Sequence, residues 1–203
     1  MVERVGKRIA IASEEFLEDS GVEWQAGDYQ WEFVLIEDDK MVNAWCMPGG
    51  KVAVYTGILP ITKDENGLAV VMGHEVAHAI ANHGNERMSQ GLIASMGGIA
   101  LSVALSEKPK QTQKLFMTAF GLGASVGFLL PYSRVHESEA DRIGLMLTAR
   151  AGYDPREAIP FWQRMNEKAG ARVPEFLSTH PAPESRIADI KSHISEAMLY
   201  YRK

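Results

Sequence analysis

The sequence predicts an α+β chain, mainly helical, in which a small β-sheet precedes a long central helix. Runs of β-forming residues bounded by turn signals are confined to residues 31–55, whereas helical patterning covers most of the remainder. No Pro-, Gly- or Ser-rich linker and no internal repeat interrupts the 203 residues, so residues 1–203 read as one domain. With 46% hydrophobic and 23% charged residues, a chain of that length can bury a substantial core.

Residues 2–19 read as an amphipathic helix, with Ile9, Phe16 and Leu17 set against Glu14, Glu15, Glu18 and Asp19. Strands are expected at 31–36, 42–47 and 51–55, separated by Asp38-Asp39 and by the corner Pro48-Gly49-Gly50. The central helix is expected from about Asp64, and further helices near 135–151, 155–169 and 183–199, with Asp154-Pro155 and Ala182-Pro183 as helix starts.

Two stretches, 92–105 and 115–130, are nearly uncharged and rich in small residues, yet each is shorter than the ~20 residues needed to cross a bilayer. They read as a hairpin of helices packed closely through glycine. Burial in the core is the preferred account, and contact with a membrane surface is the other. The net charge of −5 and pI near 5.7 leave no basic stripe for nucleic acid. Cys46 is the sole cysteine, so no intrachain disulfide framework and no four-cysteine metal site exists. Beside Trp45 in an apolar run, Cys46 reads as a packed strand residue rather than a nucleophile, and it suits cytosol and periplasm alike. The first twenty residues are charged and contain no export signal.

The feature with the most chemical content is His74-Glu75-Val76-Ala77-His78. Histidines four apart on a helix lie ~40° from one another on one face, so both rings can reach a single ion. Glu75 between them is placed to act as a base toward water activated by that ion, the division of labour of a helical zinc hydrolase. The surroundings are apolar, from Leu68 to Gly73 and at Val76, Ala77, Ala79 and Ile80, and ionisable groups in such a helix are costly unless paired or metal-bound.

A catalytic zinc needs a third protein ligand and an open position. Extension of the motif along the same helix would require glycine at 81 and histidine at 84, where the chain has Ala81 and Gly84. His83, about 140° around the helix from His78, is expected to be a solvated or capping residue. A second helical segment opens at Glu137-Ser138-Glu139-Ala140-Asp141, fifty-nine residues beyond His78. Glu137, Ala140, Asp141 and Gly144 share its face while Glu139 points away, so Glu137 is the expected ligand. Asp141, one turn later, is expected to accept the second ring N–H of a ligating histidine.

These motifs, with Asn43 to Gly50, Val54-Tyr55-Thr56-Gly57 and Ser178-Thr179-His180-Pro181, resemble the M48 family of zinc metallopeptidases, in the family's order and over roughly residues 1–200. The resemblance implies a mainly helical zincin-like (minigluzincin) fold binding one Zn2+ per chain through His74, His78 and Glu137, with Glu75 catalytic. It also implies that His180 can approach the metal, either filling the open position in a latent form or assisting the oxyanion. Substrate would lie as an extended strand along an exposed sheet edge at Asn43, Ala44 and Trp45.

The expected function is therefore a zinc-dependent endopeptidase. From the resemblance alone, its substrates are unfolded or misassembled proteins of the cell envelope, in the periplasm or at a membrane rather than in the cytoplasm. Envelope relatives begin with an export signal or lipid anchor, so a mature or trimmed chain with Met1 added is expected. The competing class is a latent or chaperone-like module that holds polypeptides without cutting them. An intact Glu75 speaks against that class, since a structural site needs no base.

Overall fold

The computed structural model describes residues 1–21, 28–168, 173–181 and 184–201. Among these, the elements are helix α1 (Val2–Asp19), strands β1 (Glu32–Ile36), β2 (Ala44–Met47) and β3 (Lys51–Tyr55), then helices α2 (Leu59–Thr62), α3 (Glu65–Ile80), α4 (His83–Ala104), α5 (Lys110–Ala124), α6 (Leu130–Arg150), α7 (Ala158–Lys168), α8 (Glu175–Thr179) and α9 (Glu184–Ala197). The expected mainly helical α+β class is found, with strand and helix limits within a few residues of those read from the pattern. Ala182 and Pro183, read as a helix start, lie outside the described residues.

The chain divides into two compact units, residues 1–81 with 138–203, and residues 82–137. The first holds the sheet and the core. Its strand order is β1-β3-β2, with β3 parallel to β1 and antiparallel to β2, which leaves β2 an edge strand. The β2–β3 register follows from a tight turn in which Gly50 N–H donates to Met47 O at 3.1 Å. Gly49 and Gly50 adopt φ of 87° and 93°, a region glycine enters without Cβ strain.

Helix α3 packs against α1 and β2 at the centre of this unit. Nearly every residue from Gly67 to Ile80 is buried, which explains why its sequence is apolar all round rather than striped. Asp64 caps it, its Oδ1 accepting from Asn66 N and Gly67 N at 2.9 and 3.1 Å. The cap on the way into α7 is similar, with Asp154 Oδ1 accepting from Arg156 N at 2.9 Å behind Pro155.

Helix α6 crosses α3 at a glycine pair. A Cβ built on Gly73 would stand 2.9 Å from Gly144 O, and one built on Gly144 would stand 2.9 Å from His74 N. No side chain fits at either position, so the two backbones approach as closely as helices can. Thr148 ties the crossing further, its hydroxyl 2.8 Å from Gly144 O and 3.3 Å from Ala69 O. Trp162, Phe161 and Phe176 are the largest fully buried side chains among the described residues, and their rings pack on one another with centroids 5.1 to 6.4 Å apart.

The second unit corrects the preferred account of its apolar stretches. Helices α4 and α5 do form, but α5 buries no residue and α4 buries only His83. Leu92, Ile93, Met96, Ile99, Val103, Leu115 and Leu122 are all exposed, so these helices do not belong to the core. His83 is likewise not solvated. It is buried with its ring stacked on His136 at 4.4 Å, and His136 Nε2 stands 2.7 Å from Glu86 Oε2. The neighbour that buries it lies fifty-three residues away in sequence, which helical spacing alone does not reveal.

Candidate metal centre

The motif residues occupy consecutive turns of the buried part of α3. Both rings leave the helix on one side, and His74 Nε2 and His78 Nε2 stand 3.1 Å apart. The residue that caps the C-terminus of α8 supplies a third ring: His180 Nδ1 lies 3.2 Å from His74 Nε2, and its Nε2 lies 3.4 Å from Glu75 Oε1. The His180 backbone is held by its N–H to Phe176 O at 2.8 Å, and its ring leans on the Phe176 ring at 4.9 Å.

Helix α6 contributes acids at one-turn spacing. Asp141 Oδ1 is 3.0 Å from His74 Nδ1, both groups being almost fully buried. Glu137, where the second unit ends, precedes Asp141 by one turn of the same helix. One ligand atom from each of His74, His78, Glu137 and His180 lies within 4.8 Å of all the others. Glu139 is exposed on the outer side of the helix, as its angular position requires.

The donor set fits a zinc ion. Two nitrogens each ~2.0–2.1 Å from one tetrahedral zinc stand about 3.3 Å apart, close to the 3.1 and 3.2 Å separations here. Hydrogen bonding alone satisfies the arrangement poorly. With His74 Nδ1–H donating to Asp141, Nε2 carries a single in-plane lone pair, and two other ring nitrogens converge on it. A cation shared among the rings and a carboxylate accepts one lone pair from each of these ligand atoms at once.

Asp141 is itself gripped from behind. Arg186 of α9 donates from Nε to Oδ2 and from Nη2 to Oδ1, both at 2.7 Å, and from Nη1 to Pro181 O at 3.0 Å. Its guanidinium lies 3.8 Å over the Trp162 ring. Burial would raise the Asp141 carboxyl, yet the Arg186 guanidinium, helped by His74, holds it below the usual carboxylate range. Asp141 therefore stays an anion able to fix the tautomer and orientation of His74.

The sequence pattern of peptidase family M48 matches residues 5–194. The chain belongs to family M48. It is 40% identical over 174 residues to the mitochondrial metalloendopeptidase OMA1 of Schizosaccharomyces pombe, covering 85% of this chain and 49% of that protein. With the human mitochondrial metalloendopeptidase OMA1 it shares 33% identity over 171 residues, 81% of this chain and 33% of the relative. With the β-barrel assembly-enhancing protease of Escherichia coli it shares 30% over 171 residues, 82% and 35% respectively. The chain thus spans half or less of the length of these relatives.

Within this M48 chain, Arg186, Trp162 and Phe176 are the residues that sequence reasoning missed. A signal for Arg186 existed: it occupies the same stripe of α9 as the buried residues Ile190 and Ala197, a position where a charge is out of place without a partner. Asn43, Ala44 and Trp45 lie at the start of the edge strand β2, which packs on α3. Tyr55 N–H donates to Asn43 O at 3.1 Å, so by antiparallel alternation Asn43, Trp45 and Met47 face β3 while the main-chain groups of Ala44 and Cys46 face outward. Burial, with a smaller contribution from the Glu75 charge, pushes the Cys46 thiol up to about 12, the behaviour of a packed residue rather than a nucleophile.

Proposed function

We propose that residues 1–203 act as one metalloendopeptidase domain that cuts unfolded or misassembled polypeptides, with zinc as its metal. His74, His78 and Glu137 are assigned as ligands, Glu75 as the base and Asp141 as the group that orients His74. The observation that carries this reading is the convergence of four ligand atoms beside Glu75 and Asp141. Family membership supports hydrolysis of peptide bonds as the reaction.

A zinc ion held there supplies Lewis acidity toward a carbonyl and toward water. Glu75 takes the proton from the attacking water and returns it to the leaving amine, the two halves of general acid–base catalysis by one carboxylate. Arg186 keeps Asp141 ionised and in place, and Asp141 keeps His74 from rotating. Substrate lies antiparallel to β2 and pairs with the outward main-chain groups of Ala44 and Cys46, a mode that reads backbone rather than side chains. Asn43 adds a buried Oδ1 with no hydrogen-bond partner among the described residues, an acceptor suited to a substrate amide.

The relatives' names support a setting. One names mitochondria and another β-barrel assembly, which supports polypeptides of a cell envelope or of a membrane-bounded compartment as substrates. The latent form is a second reading, favoured by the place of His180 within the ligand cluster. A third ring nitrogen there, as the fourth ligand, fills the position that substrate needs.

Zinc content and casein digestion, measured on the wild type, Glu75→Gln and His180→Ala, test both readings. Glu75→Gln should keep one zinc per chain and lose ~10²–10⁴-fold in rate. Retained hydrolysis overturns the assignment of the base. His180→Ala should raise basal cleavage if the ring restrains the resting site, whereas an oxyanion role predicts a kcat lower by ~10²-fold or more.

A further inference from the structure

Glu137 stands between two side chains of α6 that are each tied to a different helix. His136 is buried, its ring stacked on His83 of α4 with centroids 4.4 Å apart and planes 16° from parallel, and its Nε2 donates to Glu86 Oε2 at 2.7 Å. His83 and Glu86 are three residues apart on α4, so one face of that helix receives the His136 ring. On the other side, the Ser138 hydroxyl donates to Asp189 Oδ2 of α9 at 2.5 Å. Four residues further along α6, Arg142 donates from Nε and Nη2 to Glu196 of the same helix at 2.9 and 2.7 Å.

Residues one position before and one after a helical residue leave the axis at about 100° to either side of it. Ties at both angles oppose rotation of the helix in either sense. A carboxylate ~6 Å from the axis moves ~2 Å when the helix turns by ~20°, whereas a metal accepts a ligand atom only within ~0.2 Å of its bond length. Stability is a poor account of the two ties, because their acceptors reach water. The Glu86 side chain is 55% exposed and that of Asp189 40%, and polar pairs so placed add little to folding. The converging ligand atoms belong to His74, His78, Glu137 and His180, so Glu86 and Asp189 act at one remove from them.

We propose that Glu86 and Asp189, acting through His136 and Ser138, are positioning residues that hold Glu137 in its ligating orientation before the metal arrives, a role that rests on the reading of Glu137 as a ligand. A ligand held in place beforehand loses little freedom when it binds, so the brace raises metal affinity without touching the metal. Its two halves are independent: one is a ring seated between a stacked imidazole and a carboxylate, the other a single hydroxyl on a carboxylate. Each can therefore be cut separately by a small change at an accessible side chain.

Zinc affinity of the full chain, measured by competition with a chelator, and the melting temperature of the zinc-free chain test this together. Glu86→Ala and Ser138→Ala should each lower zinc affinity about tenfold, and the double variant about a hundredfold. The zinc-free melting temperature should stay within about 3 °C of the wild type in each single variant. Ser138→Thr, which keeps the hydroxyl, should bind zinc like the wild type. Glu137→Gln measured alongside separates the two readings. If it weakens binding while the double variant keeps wild-type affinity, the brace alone is overturned; if it leaves affinity unchanged, the ligand assignment falls and the brace with it. A lower zinc-free melting temperature in Glu86→Ala and Ser138→Ala without loss of zinc affinity would make the ties structural, and also overturns the proposal.

Discussion

Arg186 grips Asp141 with a two-pronged bond, Nε to Oδ2 and Nη2 to Oδ1 at 2.7 Å each, forty-five residues apart in sequence. Both side chains are almost fully buried, and Asp141 faces His74 with the same Oδ1 that Arg186 holds. The orientation of a candidate ligand on α3 is thereby set by a charge on the last long helix of the chain.

Arg186→Met should destabilise the fold by about 3–5 kcal/mol, because it leaves the Asp141 carboxylate buried without a full counter-charge. Urea titration reads the loss, and Arg186→Met combined with Asp141→Asn should recover part of it, since the neutral pair strands no charge. A single variant as stable as the wild type would mean that the pair is not buried in solution.

Glu137 and Glu139 are separable by zinc affinity. Glu137→Gln should weaken binding strongly and Glu139→Gln should leave stoichiometry near one, since Glu139 is on the exposed side of α6. Asp141→Asn should lower affinity by ~10–100-fold by loosening His74. Competition with a chelator of known affinity ranks the three, and the reverse order for the two glutamates would assign the ligand to the other face.

Gly144→Ala tests the helix crossing. In an unobstructed helix interior this exchange stabilises by about 1 kcal/mol. Here the new methyl would meet His74 N at 2.9 Å and His74 Cα at 3.0 Å, backbone atoms that cannot swing aside. A net loss of ~1–3 kcal/mol is expected from overpacking, with weaker zinc binding because His74 shifts. Thermal unfolding gives the sign, and stabilisation would show that the helices stand further apart.

Cys46 should alkylate slowly in the folded protein. With its thiol pushed up to about 12, it carries far less thiolate at pH 8 than an ordinary cysteine, so iodoacetamide labelling should accelerate at least about tenfold on unfolding in guanidinium. The same shift has a stability consequence. The thiol is neutral in both states below ~8.5, and above that pH the unfolded chain ionises first, so stability falls as pH rises from ~8.5 toward 12. Equal labelling rates in folded and unfolded protein would place the thiol in water.

What the sequence alone determined is local. The spacing of His74 and His78, the shared face of Glu137 and Asp141 with Glu139 turned away, the start of α3 near Asp64 and the limits of the strands all follow from helical angle, period-two patterning and turn chemistry, each acting over a few residues. Tertiary structure alone decided which distant groups meet. Arg186 reaches Asp141 and His83 stacks on His136 because separate helices cross there, and no periodicity encodes a crossing; His180, expected near the metal only from the family resemblance, lies within the ligand cluster for the same reason. The stretches at 92–105 and 115–130 show the same limit: an apolar helix face demands an apolar neighbour, but composition does not say whether that neighbour lies within the chain.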